Sequence, residues 1–315
     1  MSVLIKPAIA LTCLIGLSLA AIALINIYGS VDLSLLFQNQ FLMPALIVQL
    51  LASTLFVLAW KLLLKNPGGV QLSWQETSSH IGVTLLGKYI PGKIWGLMGR
   101  GVLLSNRAID NGNIANLLIL DQALTFSSGI FVLIAALLLL QTVIWSLALI
   151  PLLYFGFRLL VVIYPWVARQ CFRLVAKGLA QTGKSVDDFQ INEVNPGSLI
   201  LVFLVYLLHW ILTGIALSLL VLPLLSQQPV DAIILIVAAI PAAMLTGFVA
   251  LWAPGGIGVR EVVMLGILSI GMPVETAGVI AIVYRFVCIL VDIVIGGIAI
   301  AHFARNDIVG FLPKA

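Results

Sequence analysis

From residue 122 to residue 157 the chain carries no Asp, Glu, Lys or Arg. A bilayer core about 30 Å thick is crossed by roughly 20 mainly apolar residues in a helix. The run is therefore too long for one helix and suits two spans turning near Gln141. Residues 7–27 form another uncharged stretch behind Lys6, longer than the apolar part of a cleaved signal and read as a retained first span. Residues 41–60 give a second span, ending at Lys61 and Lys65, and residues 194–230 hold a helix expected over 198–224. The last span is expected over 274–303. Only 9% of the 315 residues are charged and 62% are hydrophobic, whereas a water-soluble domain carries roughly 25% charged residues. That excludes a cytosolic enzyme, a nucleic-acid binder and a disordered scaffold. Cys13, Cys171 and Cys288 are odd in number and far apart, with neither metal spacing nor a disulfide framework. The expected fold class is an all-α integral membrane protein, one polytopic domain over residues 1–315.

Two segments do not fit regular spans. Residues 80–108 are apolar but carry Lys88, Lys93, Arg100 and Arg107 and are broken at Pro91-Gly92; residues 232–271 are broken at Pro254-Gly255-Gly256 and then carry Arg260-Glu261. A broken helix at membrane depth survives only where protein buries it or a wet cavity lines it. Both read as re-entrant hairpins or pairs of half-helices, beside about six full spans. Lys6, Lys61, Lys65, Arg169, Arg173, Lys177, Lys184, Arg305 and Lys314 then fall on one side, while the loops near Asp32, Gln141 and Gln227 hold no Lys or Arg. Basic loops stay cytoplasmic, so both termini are expected in the cytoplasm. Residues 169–195 are the one sizeable polar loop, too small for a catalytic domain.

The two breaks resemble one another. Each places Pro-Gly-x-Ile in the break (Pro91-Gly92-Lys93-Ile94 and Pro254-Gly255-Gly256-Ile257), with basic residues soon after. A charged residue then falls in the next span: Asp121, 30 positions after Pro91, and Arg285, 31 positions after Pro254. Three full spans between them would make the hairpins enter from opposite faces. That is the arrangement of an inverted repeat, here with halves of about 1–140 and 141–315, whose broken helices meet near the midplane and form the site.

A charge at the bilayer centre costs about 2.5–3.5 kcal/mol on insertion scales, so intramembrane ions are functional candidates. Lys88 and Lys93 flank the first break, with Arg100 two turns further on, and could hold a lipid phosphate or simply reach the interface. Gly255, Gly256 and Gly258 allow tight turns before Arg260 and Glu261. Arg285, about a dozen residues into the last span, is the best single candidate for an anion ligand or gating ion pair. Its alternative is a permanent structural pair with Asp121, Glu261 or Asp292. Asp121 and Asp292 are expected as counter-ions, with proton coupling a weaker reading. His209 is expected to hydrogen-bond a neighbouring helix. Tyr28, Trp60, Trp145, Tyr164 and Trp166 fall near span ends and read as interface anchors.

Gly87-Lys88-Tyr89-Ile90-Pro91-Gly92-Lys93-Ile94-Trp95, with Ala253-Pro254-Gly255-Gly256-Ile257-Gly258-Val259-Arg260-Glu261 and Tyr284-Arg285, resembles the lysylphosphatidylglycerol synthase transmembrane region. That region is the flippase half of the multiple peptide resistance factor and also occurs as stand-alone membrane proteins. Members that make aminoacyl-lipids carry a soluble acyltransferase-like domain after the membrane part. This sequence runs to Ala315 without one, so the resemblance implies lipid handling, not synthesis. The expected function is a flippase-like translocator of a phosphate-bearing lipid, such as a polyprenyl-phosphate-linked sugar or an aminoacyl-phospholipid, in the bacterial cytoplasmic membrane. The alternatives are a membrane glycosyltransferase using a polyprenyl-phosphate sugar, with Asp32 as its lone early carboxylate, and a non-catalytic subunit of an envelope synthase. No catalytic, nucleotide, metal or cofactor motif is recognised. The expected partners are the membrane lipid and an envelope-biosynthesis enzyme, not nucleic acid, and no oligomeric state is implied.

Overall fold

The computed structural model describes residues 40–66, 68–90, 95–105, 107, 109, 111–141, 196–221, 230–250 and 253–305. Several expectations lie outside the described residues: the first span over 7–27, the second of the two spans in 122–157, the loop over 169–195, the remaining loops that set orientation, both termini, and Pro91, Gly92 and Lys93. Within them every regular element is a helix. The order is α1 (Leu42–Lys65), α2 (Trp74–Gly87), α3 (Trp95–Ser105), α4 (Asn111–Gln141), α5 (Pro196–Val221), α6 (Val230–Val249), a 3-10 turn (Pro254–Gly256), α7 (Val259–Leu268) and α8 (Val274–Arg305). Five of these (α1, α4, α5, α6 and α8) are long and apolar enough to cross a membrane. The chain is a multi-pass membrane protein, all-helical among the described residues.

Three boundaries differ from the sequence reading. The first broken segment begins at Trp74, not His80, because Ser73 and Glu76 form a capping box: the Ser73 hydroxyl accepts from Glu76 N, and the Glu76 carboxylate accepts from Ser73 N. The span expected from Gln122 starts at Asn111, since the charge on Asp121 is met inside the protein and does not end the helix. The second broken segment is unequal. Its first arm, α6, is a 20-residue helix of span length with Pro241 in its interior, and its second arm, α7, has only 10 residues.

Helix α1 packs antiparallel on α5. Ala45, Ala52 and Ala59, one every seventh residue, are fully buried on α1 and let the two backbones approach closely. His209 of α5 donates from Nδ1 to Ala52 O at 2.8 Å, as expected of a histidine bonded to a neighbouring helix. Helix α2 packs antiparallel on α8, with Gly82 against Ala299 and Leu86 against Gly296. Helix α6 packs antiparallel on α4, with the rings of Phe126 and Phe248 4.9 Å apart and Gly129 against Leu245.

These seams form a pattern. Exchanging α1 with α5, α2 with α6, α3 with α7 and α4 with α8 turns each well-formed helix–helix pair among the described residues into another observed pair. The α2–α8 seam maps onto α6–α4, α2–α3 onto α6–α7, α3–α4 onto α7–α8, and α1–α5 onto itself. There are correspondingly two main apolar cores. One gathers Trp60, Ile81, Leu104, Leu120 and Tyr206; the other gathers Trp210, Ile240, Met264, Tyr284 and Cys288.

Candidate functional site

The two breaks touch. After α2 the chain turns through Lys88 and Tyr89, and after α6 it turns through Ala253 to Gly258. Gly255 N donates to Lys88 O at 2.6 Å. Gly255, Gly256 and Gly258 have φ of 59°, 73° and 84°, a region that glycine alone enters freely. Gly256 is also needed for space, because a Cβ there would lie 2.6 Å from Arg260 Nε.

Charged side chains converge on this junction. Lys88 Nζ lies 2.7 Å from Asp292 Oδ2 on α8, and Tyr89 Oη donates to the same oxygen at 2.6 Å. Arg285, one of the largest buried polar groups on α8, donates from Nη2 to Gly255 O at 2.8 Å. Its Nε is 3.3 Å from Glu261 Oε1 on α7. That approach is an ion pair without hydrogen-bond geometry, since both atoms are buried and lack a hydrogen-bond partner. The other Glu261 oxygen accepts from Gly258 N at 2.6 Å and so caps α7. Among the described residues Arg260 finds only a sulfur: Nη1 donates to Met244 Sδ at 2.7 Å, and its buried Nε bonds to none of them. Among the described residues no carboxylate is within ion-pair reach of Arg260. A cavity of about 20 Å³ opens here, lined by Met244, Arg260, Glu261, Tyr284, Arg285 and Cys288, among others. It has room for about one water molecule.

A second buried cluster forms elsewhere. Arg100 Nη2 on α3 lies 2.6 Å from Asp121 Oδ2 on α4, with both side chains at most 3% exposed. Tyr206 Oη of α5 donates to the other Asp121 oxygen, and Gln122 Nε2 donates to Oδ2 at 3.1 Å. The Arg100 guanidinium centre stacks 4.0 Å from the centroid of Trp60. The two clusters share no hydrogen bond or ion pair among the described residues.

The residues singled out from sequence therefore separate. Lys88, Gly255, Gly256, Gly258, Arg260, Glu261, Arg285 and Asp292 meet at the junction, and Pro254 opens its 3-10 turn. Arg100 and Asp121 do not join them; the expected grouping of Arg100 with Lys88 is corrected, because Asp121 and Trp60 hold it in the other core. Pro91, Gly92 and Lys93 lie outside the described residues. Trp60 is not an interface anchor: it is fully buried, carrying Arg100 on its face. Tyr89 and Tyr206 were not among the expected site residues, although Tyr89 falls in the motif from Gly87 to Trp95. Tyr89 sits beside the first Pro-Gly break and had a local signal; Tyr206, midway along an apolar run, had none.

The chain matches the family described as Lysylphosphatidylglycerol synthase TM region over residues 3–296. No curated protein and no solved structure gives a match. A match over nearly the whole length makes the chain a member of the lysylphosphatidylglycerol synthase TM region family.

Proposed function

We propose that the chain is a lipid translocator, and not an enzyme, whose two broken helices belong to an inverted repeat and receive a phosphate-bearing headgroup where they meet. The observation that carries this reading is charge at the junction. Lys88, Arg260 and Arg285 converge there against two carboxylates, Glu261 and Asp292, and Arg260 is left with a thioether. An unmatched cation in the membrane interior costs several kcal/mol, and a lipid phosphate would repay that cost when bound. Glycines at positive φ bring backbone close to the ligand position without side chains in the way. The cavity of about 20 Å³ is smaller than any headgroup, so binding requires α7 to part from α8. The slack Arg285–Glu261 pair lies on that seam.

The antiparallel α1–α5 seam supports the inverted reading, since helices exchanged by a two-fold axis run antiparallel only when the axis lies across them. Headgroup movement through the junction leaves the polyprenyl or acyl tail in lipid. The membrane is the bacterial cytoplasmic membrane, with both termini in the cytoplasm, and an envelope-biosynthesis enzyme supplies or consumes the lipid.

The test is a translocation assay in proteoliposomes comparing a polyprenyl-phosphoryl sugar with an aminoacyl-phospholipid. Wild-type protein is expected to move one of them, and Arg260→Gln and Arg285→Ala to lose most of that movement. Folded wild-type protein that moves neither lipid would overturn the proposal. Sugar turnover lost in an Asp32→Ala variant would then point to a glycosyltransferase, and obligate co-purification with a synthase to a subunit.

A further inference from the structure

We infer that Arg100–Asp121 and Arg285–Glu261 are two equivalent gates that open alternately, the first closed and the second slack in this structure. The inference deepens the translocator reading by supplying its switch, and it takes Arg100 and Asp121 out of headgroup binding. The exchange of helices that maps the packing onto itself carries α3–α4 onto α7–α8. Each of these seams is tied by one ion pair between a short helix after a break and the long span that follows. Arg100 comes nine positions after Pro91 and Glu261 seven after Pro254; Asp121 and Arg285 follow at 30 and 31. The pairs thus tie corresponding seams at similar, not identical, distances from their breaks, with the charges reversed: cation on the short helix in one, carboxylate on the short helix in the other.

The two corresponding seams are not in the same state. Asp121 is 3% exposed, lies 2.6 Å from Arg100 and accepts from Tyr206 and Gln122. Glu261 is 22% exposed, and its 3.3 Å approach to Arg285 leaves both facing atoms without a hydrogen bond. The cavity lies beside this second pair. An inverted repeat caught in an asymmetric conformation implies a partner conformation in which the halves exchange roles. In that partner state the Arg285–Glu261 pair is sealed, and the Arg100–Asp121 pair is slack with a cavity beside it.

Cross-linking across each seam reads the two gates directly. A Cβ at Gly101 would lie 3.4 Å from Leu118 Cδ1 across α3–α4, and one at Gly278 would lie 3.9 Å from Leu265 Cδ1 across α7–α8. The paired substitutions Gly101→Cys with Leu118→Cys, and Leu265→Cys with Gly278→Cys, are placed in a chain whose Cys13, Cys171 and Cys288 are replaced by serine. The rate of copper-phenanthroline cross-linking is then measured in full-length protein in proteoliposomes. Asp121→Asn is expected to slow the first cross-link and speed the second by about tenfold each, and Glu261→Gln to do the reverse, since a bias on one state moves both readouts. Should Asp121→Asn fail to fold, Tyr206→Phe removes one of its hydrogen bonds and is expected to give the same signs at about twofold. A variant that alters its own seam alone, or moves both seams in the same direction, would overturn the inference. Lipid movement is followed on the same samples. Reciprocal cross-linking without lipid movement would support the gates and remove the translocator reading; movement without reciprocity would keep the translocator and remove the gates.

Discussion

The Arg100 cluster and the Arg285 cluster solve one problem in two ways. Each places an arginine and a carboxylate in the apolar interior of a helix bundle. Around Arg100 the charges are matched one to one, Asp121 takes further bonds from Tyr206 and Gln122, and an indole ring covers the guanidinium. Around Arg285 the cations outnumber the carboxylates, a backbone carbonyl stands in as acceptor, and the two facing atoms of the ion pair make no hydrogen bond. In the Arg100 cluster the unbonded atoms, Arg100 Nε and Trp60 Nε1, lie outside the 2.6 Å contact. The difference lies in what surrounds the pair. Arg100 sits between regular helices whose side chains can close around it, whereas Arg285 faces a break whose glycines offer backbone but no side chains. A matched cluster fixes helices; an unmatched one carries a cost that, in the proposed reading, a bound anion offsets.

The largest expected effect tests that contrast. Asp121→Asn leaves Arg100 buried without its counter-ion and is expected to cost about 3–5 kcal/mol. Glu261→Gln acts on a slack pair and is expected to cost about 1 kcal/mol. Thermal unfolding in detergent measures both, and equal losses would break the comparison. The supporting seams should differ next. A Cβ on Gly82 would meet Ala299 Cβ at 2.5 Å and the Ile295 carbonyl oxygen at 2.9 Å, so Gly82→Ala is expected to lose about 1–3 kcal/mol. On the exchanged α4–α6 seam a Cβ on Gly129 would meet Leu245 Cδ1 at an ordinary 3.4 Å, its tighter contact of 3.1 Å being with the Trp210 ring of α5 and none with backbone, so Gly129→Ala should lose less. Ser73→Ala removes the cap that starts α2 and is expected to cost about 1 kcal/mol, read as a lower unfolding temperature with lipid movement retained. The smallest effect is the most diagnostic. Replacing the matched pair outright together with the hydroxyl that serves it, Arg100→Met with Asp121→Leu and Tyr206→Phe, is expected to leave stability within about 1 kcal/mol of wild type, because a buried ion pair gains little over apolar packing. The same samples should lose lipid movement if the pair is a gate.

Much of this was legible in the residues. Uncharged runs of span length announced the membrane helices, because hydrocarbon tolerates little else. Pro-Gly beside lysine and arginine announced the breaks, because the pair together disfavours a continuing helix and a cation needs a reason to lie there. The Ser73-to-Glu76 spacing was equally readable and would have moved the start of α2 to Trp74. Glu261 and Arg285 could be named as partners, but Asp121, Asp292, Arg100 and Lys88 could be paired in several ways with equal sense.

The sequence by itself determined that this is a helical membrane protein with two broken segments and with charges where charges are costly. Those are local properties, set by the solubility of each side chain and the freedom of each backbone position. Only the tertiary structure decided which charge meets which. Asp121 went to Arg100 and Asp292 to Lys88 because α3 packs on α4 and α2 on α8, and those seams depend on small residues such as Gly82 and on contacts far apart in the chain. Arg260 remained without a carboxylate for the same reason: no helix among the described residues carries one to it.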